Sequence, residues 1–383
     1  MQAGGTSGFR LLACLIGVSF AAAAGIAVAE PCRKVTSEAE LASYTEAQGT
    51  QATLARNICY AEGTEWLERN RSNSANVKLD QRFDYYRPSA LAPTQKLPLI
   101  IWAHPNGMSE DLAPEDNLYT QLVTRALDMG FAFMSVEFRH PVSSQEYSGE
   151  PKLDIPNTDI ARAVQWARHR AAMLGVDPTN IFLVGQSRGT LGLLNALSRN
   201  LADADSPFPY RTKSSRVRAV YAVQAQTTYV RDQIKRDFIQ PADWTAFDSR
   251  YANFLQPGSA VDEISTDDPP VAMRYEQAPT DPGLKQVVPL YLPRSGACSH
   301  AEGCFDIHHP NFGLKLHLAF NDAYTREGLQ PPASKFNIAY NVPPAYYFVD
   351  QATNKPYACF FAKNLTPEGR ANLNDYAISL CGI

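Results

Sequence analysis

Ile181-Phe182-Leu183-Val184-Gly185-Gln186-Ser187-Arg188-Gly189-Thr190 is the stretch on which the fold turns. Four apolar residues run into Gly-x-Ser-x-Gly, and a helix-forming run over residues 191–197 follows at once. A buried strand that stops at a serine and re-enters as a helix is the setting in which this pattern works as a nucleophile elbow. Both glycine positions must be small, because the turn is tight and a Cβ would meet strand or helix. The serine is lifted clear of the sheet, and the helix N-terminus beneath it favours developing negative charge. Average residue usage alone produces the five-letter pattern about once in ten chains of this length, so its surroundings decide its meaning.

Those surroundings alternate strand and helix. Leu99-Ile100-Ile101-Trp102-Ala103 is short and continuously apolar, as expected for a central strand of a parallel sheet covered on both faces. It ends in His104-Pro105-Asn106-Gly107. A helix is expected over 117–129 and a strand over 131–138. Residues 157–174 form an amphipathic helix, with Ile160, Ala163, Val164, Ala167, Ala171 and Leu174 on one face. Gly175-Val176-Asp177-Pro178 turns the chain back into the elbow strand. Further strands are expected at 217–223, at 271–275 and within 337–349, and a helix at 311–322. Upstream, 77–80 and 83–86 alternate like two antiparallel strands ending at Arg87-Pro88. The alternation implies an α/β domain over 77–383, its mostly parallel sheet joined by right-handed crossovers. Residues 30–76 form an N-terminal extension that is polar and helix-prone. Residues 226–268 lack strand character, carry Trp244, Phe247, Tyr251 and Phe254, and are read as a lid-like insertion. Residues 277–305 form a long Pro/Gly-rich loop.

The chain has 383 residues, 45% hydrophobic and 19% charged, with a formal net charge of -4. This is ordinary globular composition, and it offers no basic patch for nucleic acid or an anionic membrane. Arg10, the apolar run from Leu11 to Val28 and the small-x-small site Ala27-Val28-Ala29 read as an export signal over 1–29, leaving no membrane attachment once it is removed. The protein is therefore expected to be secreted or periplasmic. Removal of Cys14 with the signal leaves six cysteines, whose clustering suggests the bridges Cys32–Cys59, Cys298–Cys304 and Cys359–Cys381. No Cys/His spacing matches a zinc site, and no metal or organic cofactor is implied.

A serine hydrolase needs a nucleophile, a histidine base, a carboxylate to orient that base and donors for the oxyanion. Ser187 is the candidate nucleophile. The oxyanion donors are expected from the Arg188 amide and from the loop after the 99–103 strand. Pro105 has no N–H there, which leaves Asn106 and Gly107.

The ordered set Tyr85-Tyr86-Arg87-Pro88, Ile101-Trp102-Ala103-His104, Ser135-Val136-Glu137-Phe138-Arg139, the Asp159/Trp166/Gly175-Val176-Asp177-Pro178 helix and Gly185-Gln186-Ser187-Arg188-Gly189 resembles the esterase/lipase branch of the α/β-hydrolase superfamily. Feruloyl- and acetyl-esterase-like members are the most similar, over roughly residues 77–320. The resemblance implies an eight-stranded, mostly parallel sheet and a Ser–Asp/Glu–His triad; it does not fix the substrate. The chain departs from that pattern at the base. The usual triad histidine follows the last core strand, and no histidine occurs after His317. His308 and His309, in Asp306-Ile307-His308-His309-Pro310-Asn311-Phe312-Gly313, become the candidates, followed by His300. A similar Ile-His-x-Pro-x-Phe-Gly run in exported members of the branch favours His308. For the carboxylate, Asp306 comes first and Glu276, directly after the 271–275 strand, second.

Three functions follow from this reading. The first is an exported serine hydrolase acting on a small-molecule or polymer carboxylic ester through an acyl-enzyme. The second is an amide or peptide hydrolase with the same triad. The third is a hydrolase fold retained as a binding module, which the missing late histidine would explain.

Overall fold

Among the described residues nine strands form the main sheet, in the order β1-β2-β3-β5-β4-β6-β7-β8-β9. They are β1 (Thr45–Gln48), β2 (Ala52–Cys59), β3 (Arg82–Pro88), β4 (Leu97–Ala103), β5 (Ala132–Val136), β6 (Val176–Gln186), β7 (Val220–Val223), β8 (Val271–Arg274) and β9 (Phe336–Ala339). The structure is a computed structural model that describes residues 32–48, 52–60, 81–89, 95–105, 108–138, 154–190, 192, 199–239, 241–250, 259–276, 308, 310–341, 349–350 and 355–383. The pairs β1–β2, β2–β3 and β3–β5 are antiparallel. From β5 across to β9 every neighbour is parallel.

Alternation along the central strands divides the core into two layers. Leu99, Ile101, Ala103, Met134 and Leu183 face one way, against Ile160, Ala163, Val164 and Ala167. Those four lie on α3 (Asp154–His169), which follows the short α1 (Glu38–Ser43) and α2, a helix running from Asn117–Tyr119 through a π-turn at Thr120–Thr124 into Arg125–Asp128. Ile100, Trp102, Phe133, Phe182 and Val184 face the other way, against Leu122, Val123 and Ala126 of α2. The C-terminal helices Ala358–Lys363 and Asp375–Cys381 complete that second layer, with Phe361 stacked on Phe182 at 4.8 Å. Both β4 and β5 are buried at every position, as a continuously apolar central strand requires.

The N-terminal extension differs from expectation. Only α1 is helical in its described part, and β1 and β2 extend the sheet to nine strands where eight were expected. The 83–86 segment lies in β3; the 77–80 segment lies outside the described residues. Cys32–Cys59 ties the start of the described chain to β2, and Cys359–Cys381 ties the last helix to the helix of Cys359, each with Cα atoms 5.1 Å apart. The whole 277–305 segment, with Cys298 and Cys304, and the 1–29 segment lie outside the described residues. Residues 226–268, read from the sequence as a lid-like insertion, include the helices Arg231–Phe238, Trp244–Arg250 and Ala260–Glu263, and a bridge joins Thr228 to Ser259. Among the described residues no helix is long and apolar enough to cross a membrane.

Candidate active site

Strand β6 ends at Gln186, and Ser187 takes a left-handed backbone conformation, φ 50°, before a helical turn begins at Arg188. A residue with a Cβ adopts that region only when its surroundings impose it. Here the Ser187 N–H donates to Val223 O at 2.9 Å, while Thr190 N–H and Oγ1 donate back to Ser187 O at 2.9 and 2.6 Å. Gly189 passes so close to β4 that a Cβ there would overlap the Ala103 carbonyl. The obstacle is backbone, which cannot step aside. Gly189→Ala is therefore expected to destabilise the fold by about 2–4 kcal/mol, measurable as a large drop in the thermal midpoint or as insoluble expression.

Ser187 Oγ lies 2.6 Å from His308 Nε2. The two residues are 121 positions apart, and the long helix Asn311–Arg326 brings them together. Its first turn is fixed from three directions. Thr227 Oγ1 donates to Phe312 O at 2.7 Å, and Phe312 stacks on Phe238 with ring centroids 3.9 Å apart. Gly313 lies against Tyr275, whose ring and Ile338 leave no room for a Cβ. The 226–250 segment thus packs onto the turn that carries His308.

Glu276 leaves the sheet two residues after β8, at the edge where Ser187 follows β6. Gln224 Nε2 donates to Glu276 Oε1 at 2.7 Å. Asp306, His309 and His300, and the oxyanion candidates Asn106 and Gly107, lie outside the described residues. Asp268 lies shortly before β8, at the opposite edge of the sheet, where Ser265 N–H donates to its carboxylate and Lys335 Nζ to its carbonyl. His317 stacks on Phe336 at 4.8 Å, and burial lowers its pKa.

A buried charged network under the His104 loop had no assigned role in the sequence. His104 Nδ1 lies 2.9 Å from Pro105 O, and Nε2 lies 3.0 Å from Glu137 Oε1. The Arg188 guanidinium stands 3.4 Å from Glu137 and 4.4 Å from the centroid of the Phe138 ring. Glu137 meets the side chain of Glu110, which also pairs with Arg82 at 2.5 Å. Burial alone would raise Glu137, but its hydrogen bond to His104 and the charges of His104 and Arg188 outweigh it and hold the carboxyl low. Glu110 goes the other way, pushed up to about 8 by burial and then by the Glu137 charge, against the pull of Arg82. The local sign of this network in the sequence is Glu137, a charged residue set between Val136 and Phe138 at the end of the 131–138 run.

The raised Glu110 has a consequence for stability. The folded protein keeps a proton there that the unfolded chain has released above its ordinary carboxyl value of 4.5. Its contribution is complete below that value and is lost as pH rises through about 8. The thermal midpoint of the wild type is expected to fall more steeply between about pH 5 and 8 than that of Glu110→Gln, which cannot ionise. Asp84, raised to about 6 by burial, is common to both proteins and cancels in the comparison.

A positive-φ serine at the C-terminal edge of a mostly parallel sheet, beside a histidine and beneath flanking helices, defines an α/β-hydrolase. The BD-FAE family model matches residues 83–274, half of the chain. The chain belongs to that family, a hydrolase-fold esterase family. A truncated carbohydrate esterase from gut microbiota has a similar fold, with 17% identity, TM-score 0.50, and coverage of 84% of this chain and 99% of that one. An esterase of the Planctomycetes species Thermogutta terrifontis is 18% identical, covering 75% of this chain and 88% of its own, with TM-score 0.45. Lipase 4 of Diutina rugosa is 25% identical over 126 residues, 30% of this chain. The chain spans only 22% of the length of that curated relative.

Proposed function

We propose that the protein is an exported serine esterase that cleaves carboxylic esters through an acyl-enzyme. The observation that carries this is the 2.6 Å approach of Ser187 Oγ to His308 Nε2 at a strained elbow. Ser187 attacks the ester carbonyl while His308 Nε2 takes its proton. The Arg188 amide and the Asn106 and Gly107 amides hold the tetrahedral oxyanion. His308 then returns the proton to the departing alcohol, and water releases the acid by the same steps in reverse order. Glu276 is the orienting carboxylate, supported by its place after β8 and by the Gln224 bond that fixes one of its oxygens. The buried His104–Glu137–Arg188 contacts brace both sources of oxyanion donors at once. Export is supported by the two disulfides, which persist in oxidising compartments.

A fluorophosphonate probe tests this directly, because only a serine with a working base is labelled. Labelling confined to Ser187, with turnover on a p-nitrophenyl ester far above that on the matched anilide, is the expected result. Faster anilide turnover would favour amide chemistry, and an unlabelled Ser187 would leave the fold as a binding module.

A further inference from the structure

Arg274 is the last residue of β8. Val271 and Met273 of that strand join the core layer of α3, whereas Ala272 joins the layer under the C-terminal helices. By the two-residue alternation of a strand, Arg274 belongs with Ala272, on an apolar face. It is only 4% exposed. One guanidinium nitrogen, Nη1, donates to Met273 O at 2.8 Å and to Asn337 Oδ1 at 2.9 Å, and the group lies 5.1 Å from the centroid of the Tyr221 ring. No carboxylate among the described residues pairs with it. A buried cation without an anion is costly, and that cost is removed when an anion is supplied.

A cavity of about 210 Å³ opens over this guanidinium, between the β7–β9 face and the segment 355–364. Tyr221, Tyr357 and Phe360 give it an aromatic wall, and Lys355 and Lys363 bring its cations to three. None of its described lining residues is acidic. An adjoining cavity shares Lys363 and Asn364 and adds Arg216, Arg218 and Lys335 against a single carboxylate, Asp267. A chain with a formal net charge of -4 thus gathers six cations around two adjoining cavities. The volume is below the usual range for drug-sized ligands, which limits the occupant to about one ring.

We propose that this cavity is a binding site for a small monocyclic anion, a carboxylate or phosphate carried on one ring, with Arg274 as the buried anchor, Lys355 and Lys363 at the mouth, and the ring against the aromatic wall. The site is separate from the ester-cleaving groups and stands whether or not their roles are as assigned.

Calorimetry on the full chain with benzoate, phenyl phosphate and the neutral isostere benzamide tests it. Benzoate or phenyl phosphate is expected to bind below about 10 mM, at least about tenfold more tightly than benzamide. The preferred one of the two identifies the anionic group. Arg274→Met should weaken binding by about tenfold or more, and the double substitution Lys355→Gln/Lys363→Gln by several-fold, with p-nitrophenyl ester turnover unchanged in the latter. The lysine pair guards against a folding defect in the arginine variant, since both lysines are at least partly exposed. Three results each overturn the proposal: no binding of either anion in that range, benzamide as tight as benzoate, or anion binding that survives the lysine double substitution in full.

Discussion

Ser187→Ala is expected to lower kcat on a p-nitrophenyl ester by roughly 10³- to 10⁶-fold with little change in KM. The serine supplies the attacking oxygen, and an alanine leaves only the oxyanion donors and substrate binding to act on water. His308→Ala should cost about as much, because Ser187 Oγ has that imidazole nitrogen at 2.6 Å and a neutral hydroxyl is a poor nucleophile without it. The informative comparison is the double variant. Groups that act as one unit lose their function once, so Ser187→Ala/His308→Ala should be no slower than either single variant. Additive losses would mean that the two side chains do not work together. A His308→Ala protein with nearly full turnover would return the base to His309 or His300.

Glu276→Gln should be the next most damaging substitution, lowering kcat by roughly 10²- to 10⁴-fold while leaving the thermal midpoint nearly unchanged. The amide keeps the shape and can still meet Gln224, but it cannot stabilise the imidazolium that forms as Ser187 attacks. Asp306→Asn is expected to stay within a few-fold of wild type. The reverse pattern, collapse at Asp306 and tolerance at Glu276, would assign the carboxylate to the residue two positions before the histidine. Measuring both kcat and the thermal midpoint separates an orienting role from a loss of folding.

The parts of the fold that were readable were those where one period dominates. The apolar 99–103 strand and the strand–serine–helix junction carry their signal locally and are found where expected, while the stripe expected on one helix over 157–174 is divided at Arg170 between the helices Asp154–His169 and Ala171–Leu174. Strand β2 hid because its alternation is broken. Its register shifts between Ala55 and Ile58, and Asn57 adopts a positive φ of 57°, so Ala-Thr-Leu-Ala-Arg-Asn-Ile-Cys does not read as a two-residue repeat. Of the site, Ser187 was legible from its junction. His308 was reached from the branch's histidine run and not from any local pattern, since the partner it meets is 121 residues away. Glu110 and Gln224 had no signal, because what distinguishes them is a tertiary neighbour and not the residues beside them in the chain.

The histidine that precedes β9 makes one connection a link between two of the proposed catalytic groups. With the roles proposed above, the acid and the base stand at its two ends, Glu276 and His308, and residues 277–307 are the tether between them. Surface connections are normally where homologous chains gain and lose residues most freely. Here the base is held from the helix that follows it, through Phe312 and Gly313, so the tether can change in length and in side chains while His308 keeps its place. Divergence among close relatives should therefore collect insertions and substitutions between Glu276 and His308, while the residues that hold the base from the other side, Thr227, Phe238, Phe312 and Gly313, stay fixed.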